Sequence, residues 1–112
     1  MLDIDLIINK NSNMQNLRLT IIQPDIHWHS VSDNIANIES LMHGLNGRSD
    51  LILLPEMFST GFTMDTEKFA EKMDGETVSA MRRWSTVLNA HVAGSIIIRE
   101  NGRFFNRVII TS

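Results

Sequence analysis

No cysteine occurs in the 112 residues of the chain. It therefore carries no disulfide framework, no thiolate zinc site and no cysteine nucleophile of its own. Basic residues are few and scattered. Lys and Arg number 10 against 13 Asp and Glu, a formal charge of −3. Without a Lys/Arg block the electrostatic footprint of a nucleic-acid binder is missing. No apolar run reaches the roughly 18 residues that a membrane helix needs. The G-x-G-x-x-G and G-x-x-x-x-G-K-[ST] loops are absent, and so is G-x-S-x-G, which removes those nucleotide-loop and serine-hydrolase motifs. What is present is 43% hydrophobic and 21% charged, the composition of a folded domain rather than a disordered one. The length allows one domain with a modest core.

Residues 1–13 read MLDIDLIINKNSN. The apolar patch Leu6-Ile7-Ile8 follows two Asp residues. It lacks the basic start, length and small-residue cleavage site of a signal peptide, so a cytoplasmic location is expected. Asn11-Ser12-Asn13 is loop chemistry, and a compact domain begins at Met14. The extension is either short and ordered or a tail upstream of a natural start at Met14. The second is the expectation, because Leu17 to Ile22 already supplies a first strand and terminal extensions often lack order.

Leu17 to Ile22 is apolar and β-branched and ends at Gln23-Pro24, which reads as a buried strand. Ser30 and Asp33 resemble a capping box, with Asp in place of Glu. Val31, Ile35, Ile38, Met42 and Leu45 then make one helical stripe, closed by Gly44, Asn46 and Gly47. Leu51 to Leu54 is a continuous apolar run before Pro55 and predicts a central strand buried on both faces. Residues 56–76 read as irregular, with a short helical turn near Glu67 to Lys72. Thr77 is the expected cap of a second helix, whose stripe is Val78, Met81, Trp84 or Ser85, and Leu88. His91 to Ile98 is a third strand. Asn101-Gly102 predicts a type I′ hairpin, and Phe104 to Thr111 returns as a fourth strand. The order strand, helix, strand, helix, strand, strand implies an α/β layer structure with parallel crossovers and one antiparallel hairpin.

Glu56 is the leading candidate for chemistry. It follows an apolar strand, and reactive groups in open α/β sheets gather at the carboxyl ends of strands. A carboxylate there can act as a base; a solvated strand-end Glu is the plain alternative. His27-Trp28-His29 admits a metal reading, but only Asp25 is a nearby carboxylate, and a surface loop with an anchoring Trp is expected instead. Met57, Met64, Met73 and Met81 read as gap-fillers around a core or pocket. Phe58 and Phe62 flank the Ser59-Thr60-Gly61 turn, and one of them could line a pocket beside Glu56. Ser95 lies inside a strand rather than on a strand-to-helix elbow. Arg82-Arg83 reads as a solvated helix face.

From Leu17 onward the sequence resembles the carbon–nitrogen hydrolase (nitrilase) superfamily, and its ω-amidase-like branch most closely. LRLTIIQPDIHW is similar to the family's first strand and loop. RSDLILLPEMFSTGFTM is similar to its glutamate segment. MDGETVSAMRRWSTVLNAHVAGSIIIRENGRFFNRVIIT is similar to the following helix, Gly-Ser strand and hairpin, including the aromatic-Asn step at Phe105-Asn106. The resemblance spans residues 14–112, read as the N-terminal portion of such a domain, and leaves 1–13 as an extension. It implies a partial nitrilase-type αββα sandwich, incomplete at the C-terminus. It also implies a Glu–Lys–Cys triad with no cofactor or metal.

The family's Glu maps to Glu56, with the implied role of general base. Phe62 is carried as the pocket-lining, substrate-binding candidate. The Lys and Cys motifs fall beyond Ser112, and Lys68 and Lys72 do not match the Lys motif. The implied substrate is a small amide, with no nucleic-acid or membrane partner and a homodimer if the domain were complete. This chain alone is expected to be inactive. Two other readings stand beside it. One is a truncated remnant or interaction piece that exposes apolar strand surface and self-associates. The other is a metal-dependent phosphoesterase, disfavoured because Pro55 rather than Gln precedes Glu56.

Overall fold

A computed structural model describes residues 2–10 and 13–112, with side chains described from residue 16 onward. Its elements run β1 (Leu2–Lys10), β2 (Asn13–Ile21), α1 (Val31–Met42), β3 (Leu51–Leu53), α2 (Thr66–Phe69), α3 (Glu76–Leu88), β4 (His91–Glu100) and β5 (Arg103–Thr111). The five strands form one sheet in sequential order. Strand β2 pairs parallel with β3, and β3 with β4. The outer pairs β1–β2 and β4–β5 are antiparallel.

The α/β class and the β2-to-β5 order are those expected from the sequence. Two elements add to it. Residues 2–10, read as an extension, run as a strand beside β2, which begins at Asn13 rather than Leu17. The expected loop at Asn11-Ser12 lies outside the described residues. The short α2 occupies the start of the predicted helical turn.

Helices α1 and α3 cover the same face of the sheet. Ile35, Ile38 and Met42 of α1 join Val78, Met81, Trp84 and Leu88 of α3 in one buried cluster. Its sheet side is made by Ile22, Ile52, Leu54, Val92, Ile96, Ile98 and Ile109. Two parallel crossovers of one hand, running in one direction across the sheet, place their helices on one side. The opposite face stays partly open: Leu51 and Leu53 are only half-buried, and Val108 and Ile110 are exposed. Strand β3 is therefore not buried on both faces, contrary to the expectation from its unbroken apolar run.

The helix ends also differ from the sequence reading. Gly75, not Thr77, caps α3. Thr77 instead donates its backbone N–H to Glu71 Oε1 at 2.8 Å, and its hydroxyl also bonds that carboxylate. A carboxylate at the first turn complements the helix dipole. At α1, Ser30 is the cap residue but makes no side-chain cap bond; its hydroxyl donates to Asp33 Oδ2 at 2.6 Å. The hairpin prediction holds in detail. Asn101 and Gly102 have φ of 51° and 72°, the positive values that a type I′ turn demands at both positions.

Among the described residues three ion pairs tie segments together, one of them, Arg107 with Glu100, within the β4–β5 hairpin. Arg18 on β2 bonds Asp50 just before β3, at 3.0 Å from Nη2 to Oδ1. The guanidinium holds the Asp50 carboxyl below the usual carboxylate range, helped by the Arg18 backbone N–H. Arg83 on α3 pairs with Glu39 on α1, and Trp84 Nε1 donates to the same oxygen at 3.0 Å. These two donors likewise lower the Glu39 carboxyl. Among the described residues no helix is long and apolar enough to cross a membrane.

Candidate active site

Strand β3 delivers Glu56 to the edge of a cleft. Leu54 extends the ladder for one more bond, its N–H donating to Ala93 O at 2.7 Å. Pro55 has no N–H to continue it. Beyond Glu56 the chain reverses sharply. Met57 adopts a φ of 50°, a left-handed conformation that costs a non-glycine residue on the order of 1 kcal/mol and persists only when its surroundings enforce it. Here they do. The Met57 N–H donates to the hydroxyl of buried Ser95 at 2.9 Å. Its carbonyl accepts from Gly61 N–H at 2.9 Å. Phe58 is fully buried, with its ring against the bare α-carbon of Gly94 on β4.

The Glu56 side chain is exposed. Its Oε1 accepts a hydrogen bond from the side-chain amide of Asn106, on β5, at 2.5 Å. A cleft of about 390 Å³ contains both residues together with Ser95, over apolar walls that include Leu53, Ala93 and Val108. Chemically it offers a carboxylate able to accept a proton, a fixed amide and a hydroxyl already engaged by backbone.

Phe62 does not line this cleft; it is 67% exposed, beyond the Gly61 turn. The His27-Trp28-His29 loop is built around aromatic packing. The His29 ring stacks on Trp28 at 4.4 Å and meets Phe69 at 4.2 Å. Its Nε2 is 2.6 Å from Thr63 Oγ1. Trp28 lies over Gly61, where an added Cβ would approach the indole to 2.9 Å. Among the gap-filling methionines, Met57 and Met81 are buried and Met73 is half-buried, whereas Met64 is 93% exposed.

Three positions that hold the site were not singled out for that purpose from sequence. Asn34, buried on α1, accepts from His27 N–H at 2.7 Å and donates to Ser59 O at 2.8 Å, joining the loop after β2 to the loop that follows Glu56. A polar residue one position before Ile35 on the apolar stripe was the available signal. Ser95 and Asn106 sit on strands, where alternation alone does not reveal which polar side chain meets a neighbouring loop.

A one-sided α/β sheet with a glutamate set by a sharp turn at the end of a central strand is the class this geometry defines. The carbon–nitrogen hydrolase family model matches residues 18–112, and the chain belongs to that family. It is 31% identical over 97 residues to the omega-amidase YafV of Yersinia enterocolitica, covering 87% of this chain and 37% of that protein. It is 26% identical over 94 residues to the 2-oxoglutaramate amidase of Bacillus subtilis, covering 82% and 36%. Among solved structures, XC1258 from Xanthomonas campestris, described as a CN-hydrolase superfamily protein with an arsenic adduct in the active site, superposes with a TM-score of 0.85. It is 35% identical, over 88% of this chain and 37% of that one. The chain thus spans 37% and 36% of the length of these two curated relatives.

Proposed function

We propose that this chain is the N-terminal, glutamate-bearing part of an amidase of the ω-amidase kind, acting on small amides, with Glu56 as general base. The observation that carries this reading is the anchored carboxylate at the end of β3, open to a cleft. The similarity to omega-amidases supports it.

In the proposed reaction Glu56 takes the proton of a cysteine thiol. The thiolate attacks the amide carbon, and a lysine stabilises the oxyanion. Glu56 returns the proton to the departing nitrogen, so ammonia leaves and a thioester remains. Glu56 then takes a proton from water, whose oxygen attacks the thioester; the carbon–sulfur bond breaks, the carboxylic acid is released, and Glu56 returns the proton to the departing thiolate. The 112 residues contain no cysteine, so these residues alone supply the base and not the nucleophile.

Ammonia release from ω-amides of small dicarboxylates tests the reading. The 112-residue chain is compared with a protein extended through the sequence encoded after Ser112. The expected result is turnover by the extended protein and none by the chain alone. An extended protein that carries a cysteine and a lysine segment yet hydrolyses no amide overturns it.

A further inference from the structure

The β4–β5 hairpin grips the Glu56 segment at three points. Phe58 fills the space that Gly94 leaves open. Ser95 Oγ accepts the Met57 N–H. Asn106 donates to the carboxylate itself. The first two contacts fix the backbone just after Glu56 but leave its side-chain torsions free. An exposed Glu has several rotamers, and holding it in one costs side-chain entropy. The third contact removes that freedom from a strand fifty positions away in the chain.

We infer that Asn106 is a positioning residue for Glu56, orienting one carboxylate oxygen so that the other is presented for proton transfer. The inference rests on the reading of Glu56 as the base. Oε2 has no hydrogen-bond partner among the described residues, which leaves it available. The kind of donor matters as well. An Arg or Lys at this position would orient the carboxylate but also stabilise its charge, weakening it as a base. A neutral amide supplies direction with less of that penalty. The alternation of β5 is consistent with the role. Asn106 pairs with Ile97 and is two positions from Val108, the partner of Ser95, so Asn106 and Ser95 share the sheet face on which the cleft lies.

The test is reciprocal nuclear magnetic resonance on the isotope-labelled 112-residue chain. In Glu56→Ala, the side-chain amide resonances of Asn106 are expected to move by several linewidths and to exchange faster with water. In Asn106→Ala, the Glu56 side-chain couplings are expected to collapse from single-rotamer values to averaged ones. Asn106→Asp, the same size but without the amide donor, is expected to do the same. Backbone amide shifts in α3 report that each variant keeps its fold, and a purely structural role for Asn106 would not link its amide to Glu56. Unchanged Asn106 resonances in Glu56→Ala, or unchanged Glu56 couplings in both Asn106 variants, overturn the positioning role and leave the amidase reading untouched. The reciprocal signature together with an extended protein that hydrolyses no amide keeps the contact but overturns its catalytic meaning.

Discussion

A Cβ built on Gly94 would lie 2.9 Å from both Cδ1 and Cε1 of Phe58. The ring of a fully buried aromatic thus occupies the place of a side chain on the neighbouring strand. The consequence is local and functional at once, because Phe58 lies two residues beyond Glu56. Gly94→Ala forces the ring, and with it the turn at Met57, to shift. Overpacking of this kind costs about 1–3 kcal/mol, to be read from urea unfolding of the chain. The Met57 amide should move in the same variant, since its bond to Ser95 strains. Phe58→Leu in the Gly94→Ala background should recover part of the loss, a coupling visible in a double-mutant cycle. A Gly94→Ala chain as stable as the parent would show that the close approach is not a constraint.

Much of this arrangement was legible in the sequence because it rests on periodicity and on turn chemistry. The stripes Ile35–Ile38–Met42 and Val78–Met81–Trp84–Leu88 place α1 and α3 over one core. Pro55 ends β3, and Asn101-Gly102 turns the hairpin as expected. What was not legible depends on contacts between segments far apart in the chain. The capping of α3 went to Gly75 because Thr77 is tied to Glu71, six residues earlier and outside any local capping pattern. Leu51 and Leu53 read as buried because an apolar run does not say whether both sheet faces are covered. The position of Glu56 at a cleft followed from its place after a strand. Its grip by Asn106 did not, since a polar residue alternating on an edge strand has the pattern of a solvated one.

The role assigned to Glu56 leads to a kinetic expectation in the extended protein. Glu56→Gln keeps the shape and an acceptor oxygen for Asn106 but cannot take a proton. General-base catalysis contributes typically 10²–10⁴-fold, so kcat for amide hydrolysis should fall by a factor in that range. The fold should persist, because Glu56 is exposed and makes no contribution to the core. Ammonia release under saturating substrate, with circular dichroism as the control, checks both halves. A Gln variant with parental kcat would remove the base role from this residue.

The two lowered carboxyls predict how stability responds to acid. Glu39 is held below its ordinary value of 4.5 by the hydrogen bond from Arg83 first and from Trp84 second. A group whose pKa is lower folded than unfolded stabilises the fold above the unfolded value. That contribution is lost as pH falls through the folded value. Unfolding free energy should therefore decline as pH drops below about 4.5. The gap between the parent chain and Glu39→Gln should close over the same interval. The side chains of Glu39 and Arg83 are 41% and 55% exposed, so screening keeps the effect below about 1 kcal/mol and added salt should shrink it. Asp50, lowered by Arg18, acts with the same sign below its ordinary value of 3.8. A parent-to-variant gap that stays constant from neutral pH to pH 3 would rule out the Glu39 contribution.

The open face of the sheet predicts how the chain behaves in concentrated solution. Val108 and Ile110, 70% and 67% exposed, alternate along β5 on the face without helices. Strand β5 is one of the two edge strands of the sheet, and among the described residues its outer backbone groups face no other strand. Exposed apolar side chains on an unpaired edge favour pairing with another chain, and a charge on such a strand opposes it. The 112-residue chain should therefore self-associate as its concentration rises, seen as a growing mass in size-exclusion chromatography with light scattering. Val108→Lys together with Ile110→Lys should hold it monomeric. The substitutions are solvent-facing and lie away from the α1–α3 core, so each should change unfolding free energy by no more than about 0.5 kcal/mol. That separates loss of association from loss of fold. A parent chain that stays monomeric throughout, or a double variant that associates as strongly as the parent, would show that this face does not drive association.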